Sequence, residues 1–135
     1  MRTLHTAYRV LDIDHSLRFY RALGYDEIGR VQPGDGSTLV MLMLPDDPAV
    51  GLELVYRDGS FEVGTGFSHL VVEVEMLDSA LAALKSAGFE PGAPQRPGGP
   101  EGPLTSFVFD PDGYRIELVQ WPAGHAHGIT RADFL

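Results

Sequence analysis

The distribution of apolar residues along the chain predicts two helices, each preceded by a strand. Residues 3–11 and 67–75 are rich in apolar and β-branched side chains, a composition typical of strands. After each of them, apolar residues recur at intervals of three or four, which places them on one face of a helix. The residues concerned are Ile13, Leu17, Tyr20 and Leu23 in the first helix and Leu77, Leu81, Leu84 and Ala87 in the second. We therefore expect each helix to bury one face.

Residues that favour helix ends flank both patterns. Asp12 or Asp14 is placed to cap the first helix, and Asp78 lies at the matching start of the second. Gly24 and Gly88 follow the last apolar positions, where a glycine ends a helix in the left-handed conformation. Both helices thus have a predicted start and a predicted end.

Further strand patterns follow each helix, with turn residues between them. An Asp-Pro-Asp-Gly sequence at residues 110–113 is a strong signal for a hairpin turn. The predicted strands cover residues 25–31, 38–44 and 50–56 in the first half, and a short segment near Phe89, residues 104–109 and residues 114–121 in the second. Each half is predicted to have the order βαβββ, an α+β organisation.

The two halves form an internal repeat. A shift of 64 residues places His5 on His69 and Glu53 on Glu117, so that each half separates its histidine from its glutamate by 48 residues. Repeats of this kind define the architecture of a chain. We predict one domain of two tandem modules, residues 1–58 and 65–122, followed by a tail at 123–135 with no clear periodicity.

Composition and charge narrow the class of protein. The chain has 135 residues, 44% of them hydrophobic, with no cysteine and a formal net charge of −9. Such a negative charge disfavours nucleic acid and anionic membranes as partners. The sequence contains no secretory signal pattern and no apolar run of transmembrane length. We expect a soluble cytoplasmic protein.

The repeated histidine and glutamate indicate a metal site. Two related halves would bring together two imidazole nitrogens and two carboxylates, which suit a borderline divalent ion such as nickel, cobalt, zinc, manganese or ferrous iron. Four protein ligands leave positions open for water or substrate. A single strand histidine is more often structural, and a glutamate between leucines often only faces solvent. Because both residues recur in register in the two halves, the metal site is as good an interpretation as the structural one.

Four segments resemble bacterial glyoxalase I, also called lactoylglutathione lyase, in the vicinal oxygen chelate superfamily. They are residues 1–6, 52–56, 64–69 and 110–118, and the likeness runs to about Gln120. The Asp-Pro-Asp-Gly-Tyr segment marks the fold more than the reaction. The ligand set His5, Glu53, His69 and Glu117 is the sharper signal, because similar epimerases carry Gln at the Glu53 position and related dioxygenases use two His and one Glu.

The resemblance implies the vicinal oxygen chelate fold, in which tandem βαβββ modules form a cupped mixed sheet with helices outside. It also implies a homodimer with sites at the interface, where His5 and Glu53 of one chain join His69 and Glu117 of the other. The sequence does not itself decide between ligands from one chain and from two. One divalent metal per site is implied, with nickel or cobalt favoured and zinc as the alternative.

The reaction implied by the resemblance converts the hemithioacetal of methylglyoxal and a thiol to a 2-hydroxyacyl thioester, a detoxification. Chelation of both substrate oxygens by a metal would stabilise the enediolate, and a glutamate would move the proton. Resemblance favours Glu117 as the base, with Glu53 serving the opposite face or completing the ligand shell. The internal symmetry of the sequence leaves the assignment open.

Arg9 matches an arginine that in this family holds a glutathione carboxylate, and an exposed strand residue is an equally good interpretation. The family's loop lysine has no counterpart between Arg96 and Gly102. The thiol could therefore be glutathione, mycothiol or another. Ser68 precedes His69, and strand alternation argues against a Ser–His pair. His125 and His127 are expected to lie in a flexible tail.

Other functions compete with this interpretation. A small-molecule binding or resistance protein could use the same fold, but it would have no need of all four ligands. Another metalloenzyme of the superfamily is the second alternative. An epimerase would share the base chemistry, whereas a dioxygenase would need iron and an open face, against which the second glutamate argues.

Overall fold

Each half of the computed structural model, which describes all 135 residues, contains one helix and one small sheet. The chain divides into two compact units, Met1–Gly64 and Thr65–Leu135. The first unit contains β1 (Thr6–Val10), α1 (Ile13–Leu23), β2 (Asp26–Val31), β3 (Thr38–Met43) and β4 (Leu52–Tyr56). The second contains β5 (Leu70–Glu73), α2 (Leu77–Ser86), β6 (Leu104–Phe109), β7 (Arg115–Gln120) and a 3-10 helix at Arg131–Phe134. The predicted α+β class is confirmed.

The two sheets share one plan. In the first unit the strand order is β1-β4-β3-β2, with β1 parallel to β4 and the other pairs antiparallel. In the second the order is β5-β7-β6, with β5 parallel to β7 and β6 antiparallel to it. The first and last strands of each unit are therefore direct neighbours. The repeated histidine comes just before the first strand, and the repeated glutamate lies on the last.

The core of each unit is built from the helix and the alternate residues of the strands. Leu52 and Leu54 on β4 are fully buried, as are Ile116 and Leu118 on β7. The residues between them on each strand point to the opposite face, because side chains alternate along a strand. In the first unit, buried Tyr20 of α1 also bonds through its hydroxyl to that of Tyr8 on β1, which ties helix to sheet.

The helix ends agree in part with the sequence prediction. Asp12 caps α1, and its carboxylate accepts the His15 N–H at 3.0 Å, so Asp12 rather than Asp14 is the cap. Gly24 has φ +104° and Gly88 has φ +91°, the left-handed conformation predicted for both. Asp78 lies at the start of α2, as predicted, but in its first turn rather than at the cap, which is Met76 and makes no side-chain capping bond.

The predicted strand near Phe89 does not form, so the second unit has the order βαββ rather than βαβββ. Pro91 and Pro94 in this segment have no N–H to donate to a sheet. The segment still follows β6, because the Gly92 N–H donates to the Phe107 carbonyl at 2.7 Å and Gln95 forms an isolated bridge with Thr105.

The first strands of both units are shorter than predicted. β1 begins at Thr6 and β5 at Leu70, each one residue after its histidine, although the apolar patterns extend further in both directions. The tail contains a 3-10 helix with a capping box between Thr130 and Asp133, where the sequence indicated no regular structure. Neither α-helix is long and apolar enough to cross a membrane.

Candidate metal centre

The first unit brings His5 and Glu53 into direct contact. Glu53 is the second residue of β4 and pairs in register with Ala7 of β1. His5 lies two residues before Ala7, just ahead of the strand, and its Nε2 is 2.9 Å from Oε2 of Glu53. The separation of 48 residues in the sequence thus becomes a hydrogen-bonding distance because β1 and β4 are parallel neighbours.

The second unit repeats this geometry with His69 and Glu117. Glu117 pairs with Val71 of β5, and His69 lies two residues before Val71. The distance from His69 Nε2 to Glu117 Oε2 is 3.0 Å. The repeat detected in the sequence is therefore a repeat of side-chain geometry, in which each unit presents one imidazole nitrogen beside one carboxylate oxygen.

Each pair is accessible without being fully solvated. The side chains of His5 and His69 are 29% and 30% exposed, and those of Glu53 and Glu117 are 15% and 19% exposed. Neither unit by itself gathers three or more His, Asp or Glu side chains that could hold a metal. Each unit thus presents two candidate ligand side chains.

The donor atoms fit a divalent ion of the first transition series. Imidazole nitrogen and carboxylate oxygen are ligands that nickel, cobalt and zinc accept. With bonds of about 2.1 Å, two adjacent ligands lie about 3.0 Å apart on an octahedral ion and about 3.4 Å apart on a tetrahedral one. The observed separations of 2.9 Å and 3.0 Å match the octahedral arrangement, and they are also ordinary hydrogen-bond lengths.

The argument from strand alternation against a contact between Ser68 and His69 was wrong. The Ser68 Oγ is 2.8 Å from Nδ1 of His69. Both residues precede β5, which begins at Leu70, so the alternation of a regular strand does not apply to them. His69 is also held from the side, since its ring meets that of Phe107 edge-on with centroids 5.8 Å apart.

Arg115 is a candidate site residue that the sequence reasoning missed. It lies two residues before Glu117 on β7 and therefore shares its face of the sheet. Its guanidinium carbon lies 3.7 Å above the centre of the Phe107 ring. Phe107 pairs in register with Glu117, so the guanidinium is held beside the His69–Glu117 pair. Strand periodicity counted back from Glu117 would have identified this residue.

Arg9 has a buried donor with no partner. Its Nε is inaccessible to solvent and makes no hydrogen bond, whereas one terminal nitrogen donates to the Arg57 carbonyl at 3.4 Å. The guanidinium also lies 4.9 Å from the centre of the Phe61 ring. Arg9 is on the same face of β1 as Ala7, the partner of Glu53. A buried N–H without a partner costs free energy.

Two other cations near these elements are engaged within the chain. Arg57 pairs with Asp35 at 2.8 Å. Arg96, in the loop that lacks the expected lysine, donates to the Gly102 carbonyl at 2.8 Å and so closes its own loop. The same loop and the start of the tail border a cavity of about 280 Å³ that none of the four candidate ligands lines.

The histidines of the tail make contacts apart from the two pairs. His125 stacks on Trp121 with ring centroids 4.3 Å apart, and its Nε2 lies 3.4 Å from an Asp133 oxygen. His127 Nδ1 lies 3.0 Å from a Glu73 oxygen, although its side chain is 91% exposed. These are two-residue contacts, and neither histidine joins a ligand cluster.

A protein-family model matches most of this chain. The model described as the Glyoxalase/Bleomycin resistance protein/Dioxygenase superfamily matches residues 2–118. The match therefore covers both units up to the residue after Glu117, and it leaves out the tail.

Individual relatives agree with that match. The lactoylglutathione lyase of Haemophilus influenzae is 35% identical over 89% of this chain and 93% of its own length. Among solved structures, the trypanothione-dependent glyoxalase I of Leishmania major is 33% identical, with a TM-score of 0.74 over 89% of this chain and 86% of that one. Glyoxalase I of Zea mays is 30% identical with a TM-score of 0.78, but the match covers 88% of this chain and 44% of the maize protein.

Proposed function

Because the chain belongs to the Glyoxalase/Bleomycin resistance protein/Dioxygenase superfamily, we propose that it catalyses the metal-dependent isomerisation of a 2-oxoaldehyde hemithioacetal, such as that of methylglyoxal, to a 2-hydroxyacyl thioester. The observation that carries this proposal is the repeated pair, His5 with Glu53 and His69 with Glu117, at the same strand register in both units. Relatives named lactoylglutathione lyase, among them the Haemophilus protein, support the same reaction.

His5, Glu53, His69 and Glu117 would hold one divalent ion, for which we favour nickel or cobalt over zinc. This preference follows the resemblance to bacterial glyoxalase I, and the imidazole and carboxylate donors of both pairs suit such an ion. Such an ion would supply the positive charge that stabilises negative charge on the two substrate oxygens. The protein contributes the arrangement of ligands and the bases.

The proton is moved by a glutamate. The carbon-bound proton of the hemithioacetal lies next to a carbonyl, so its removal needs a carboxylate within hydrogen-bonding reach. Glu117 is our candidate for this base, and Glu53 would serve the opposite face or remain a ligand. Glu117 is 19% exposed and lies beside His69 on the face of β7 that also carries Arg115, where a substrate could reach its oxygens.

We further propose that the working enzyme is a homodimer, with His5 and Glu53 of one chain completing the site with His69 and Glu117 of the other. The support is that each unit contributes two ligands and that neither gathers a third. A symmetric dimer would then contain two equivalent four-ligand sites.

The thiol moiety is bound in part by Arg9. The terminal guanidinium nitrogen that does not contact the Arg57 carbonyl would donate to a carboxylate or another acceptor of the substrate. Arg57 and Arg96 are already engaged with Asp35 and the Gly102 carbonyl, which reduces the number of cations open to a glutathione-like anion. Glutathione and the uncharged thiol mycothiol are therefore both candidate co-substrates.

The test is formation of the thioester, followed by ultraviolet absorbance. Metal-stripped protein would be reloaded with nickel, cobalt or zinc and supplied with the methylglyoxal hemithioacetals of glutathione and of mycothiol. We expect activity that depends on metal, with Glu117→Gln lowering kcat by a hundredfold or more, the magnitude of general base catalysis.

Glu53→Gln is the repeat-related variant, and Glu75→Gln is the control because it makes the same change at an exposed position outside the site. Glu75→Gln should retain wild-type activity. Stoichiometric metal binding without turnover of either hemithioacetal would overturn the isomerase proposal.

A further inference from the structure

His69 is held at both ring nitrogens, and Ser68 provides one of the two contacts. The Ser68 Oγ lies 2.8 Å from Nδ1, and the Glu117 Oε2 lies 3.0 Å from Nε2. The edge of the Phe107 ring completes the surroundings of the imidazole. The orientation of His69 is therefore set from three sides.

A hydroxyl at this position suits both protonation patterns of the ring. A serine hydroxyl can donate or accept, whereas a carboxylate can only accept. With Glu117 on Nε2, the ring proton belongs on that nitrogen and Ser68 donates to Nδ1. Metal binding needs the Nε2 lone pair, so the proton must lie on Nδ1, where the same Ser68 oxygen can accept it. Ser68 can hold the ring in either state.

The first unit has no equivalent of this arrangement. The shift of 64 residues that relates the halves places Leu4 at the position of Ser68 and Met43 at that of Phe107. Leucine offers no hydroxyl, and Leu4 is exposed. The two histidines thus have the same glutamate contact and different support behind it.

We propose that Ser68 is a positioning residue that orients His69 for metal binding, so that the His69–Glu117 pair is the preorganised half of the metal centre and the His5–Glu53 pair is the less constrained half. This inference rests on the metal centre of the proposed function. It does not depend on which hemithioacetal, if any, is the substrate.

The experiment measures metal affinity. Cobalt and nickel dissociation constants would be obtained for the whole protein by competition with a chromophoric chelator, in the wild type and in Ser68→Ala, Ser68→Thr and Leu4→Ala. We expect Ser68→Ala to weaken binding about tenfold to a hundredfold, the usual effect of removing a partner of a ligating histidine. Ser68→Thr retains the hydroxyl and should restore binding, and Leu4→Ala should match the wild type.

Ser68 is exposed, so none of these variants should change the unfolding midpoint of the metal-free protein. Equal metal affinity in Ser68→Ala and the wild type would overturn the inference, as would failure of Ser68→Thr to restore it.

A second assay would follow hydrolysis of the thioester product. Hydrolysis lost in Ser68→Ala with unchanged metal affinity would make Ser68 a nucleophile instead. Metal binding without isomerase turnover would count against the proposed function alone.

Discussion

At the scale of single residues, β7 and β6 place a cation beside Glu117, the proposed base. Arg115 makes no ion pair, and its guanidinium rests on the Phe107 ring at 3.7 Å on the face of the sheet that carries Glu117. Stacking on an aromatic ring is favourable for a guanidinium and leaves its N–H groups free to bind. In a chain of net charge −9, such a cation is suited to an anionic group of the substrate.

Substitution of Arg115 should therefore change substrate binding more than turnover. For Arg115→Gln we expect KM for the glutathione hemithioacetal to rise about fivefold to tenfold, as for the loss of one exposed charge-assisted hydrogen bond. The kcat, and the KM for the uncharged mycothiol adduct, should stay near the wild-type values. Steady-state kinetics with both adducts would measure this. Lys85→Gln on α2 is the control, and equal effects on both adducts would contradict the prediction.

Tyr25 has a strongly shifted ionisation. Burial, and to a smaller extent the Asp47 carboxylate, raises the pKa of its hydroxyl from 10.0 to about 12. The native state therefore holds this proton more tightly than the unfolded state. The contribution to stability is complete below pH 10 and is lost as the pH rises through the folded value.

We expect this residue to lower the free energy of unfolding by about 1 kcal/mol for each pH unit between pH 10 and about pH 12. Tyr25→Phe should reduce that slope, while the other titrating groups contribute equally to both proteins. Urea denaturation at pH 9 and pH 11 gives the comparison. If the free energy of unfolding falls equally in the wild type and the variant between pH 9 and pH 11, Tyr25 is not responsible for the loss.

The sequence predicted the candidate ligands and missed much of what surrounds them. His5 with Glu53 and His69 with Glu117 could be paired because the repeat fixes the spacing and parallel neighbours keep register. The contact between Ser68 and His69 could not be predicted, because it depends on β5 starting at Leu70. Apolar patterns in a sequence do not fix where a strand begins. The Arg115–Phe107 contact depends on the register of β6, which the sequence does not encode locally.

At the scale of elements, the two helices begin in different ways. Asp12 caps α1 from within its own segment, whereas α2 has no side-chain cap of its own. Instead, the Leu77 N–H donates to the Oε1 of Gln120, at the end of β7, at 2.7 Å. The start of α2 is thus fixed by the strand that also carries Glu117.

Gln120→Ala should destabilise the protein by about 1 kcal/mol, the usual cost of a lost helix cap. Gln120→Glu keeps an acceptor oxygen and adds negative charge at the helix N-terminus, so it should retain stability. Asp12→Ala is the matched variant for α1 and should cost a similar amount. Chemical denaturation would measure all three, and a Gln120→Ala midpoint equal to the wild type would contradict this account of the cap.

Elements in which apolar residues recur at a regular spacing were predicted well, and the ends of elements were predicted less well. The period of three and four residues located both helices, and β6 has the predicted limits of residues 104 and 109. A short strand was also predicted near Phe89, after the second helix. The prolines at 91 and 94 prevent it, so the segment contacts β6 through isolated bonds.

At the scale of the whole molecule, the duplication gives two units that each hold one His–Glu pair, half of the proposed ligand set. The same parallel pairing, β1 with β4 and β5 with β7, brings a histidine to within 3.0 Å of a glutamate in both. A duplicated module thus yields two equivalent pairs from one fold, while differences such as Ser68 and Arg115 are confined to the second. The central claim is that these pairs combine, across two chains, into one catalytic metal site.

That claim is tested most directly by mixing two inactive variants. One carries His5→Ala with Glu53→Gln, and the other carries His69→Ala with Glu117→Gln. Unfolded together and refolded, they would form mixed dimers with one intact site of two, so thioester formation should return to about a quarter of the wild-type rate. Recovery of that activity, absent from either variant alone, is the predicted result. No recovery, although mixed dimers form and the wild type is active, would contradict a site built from the two pairs of different chains.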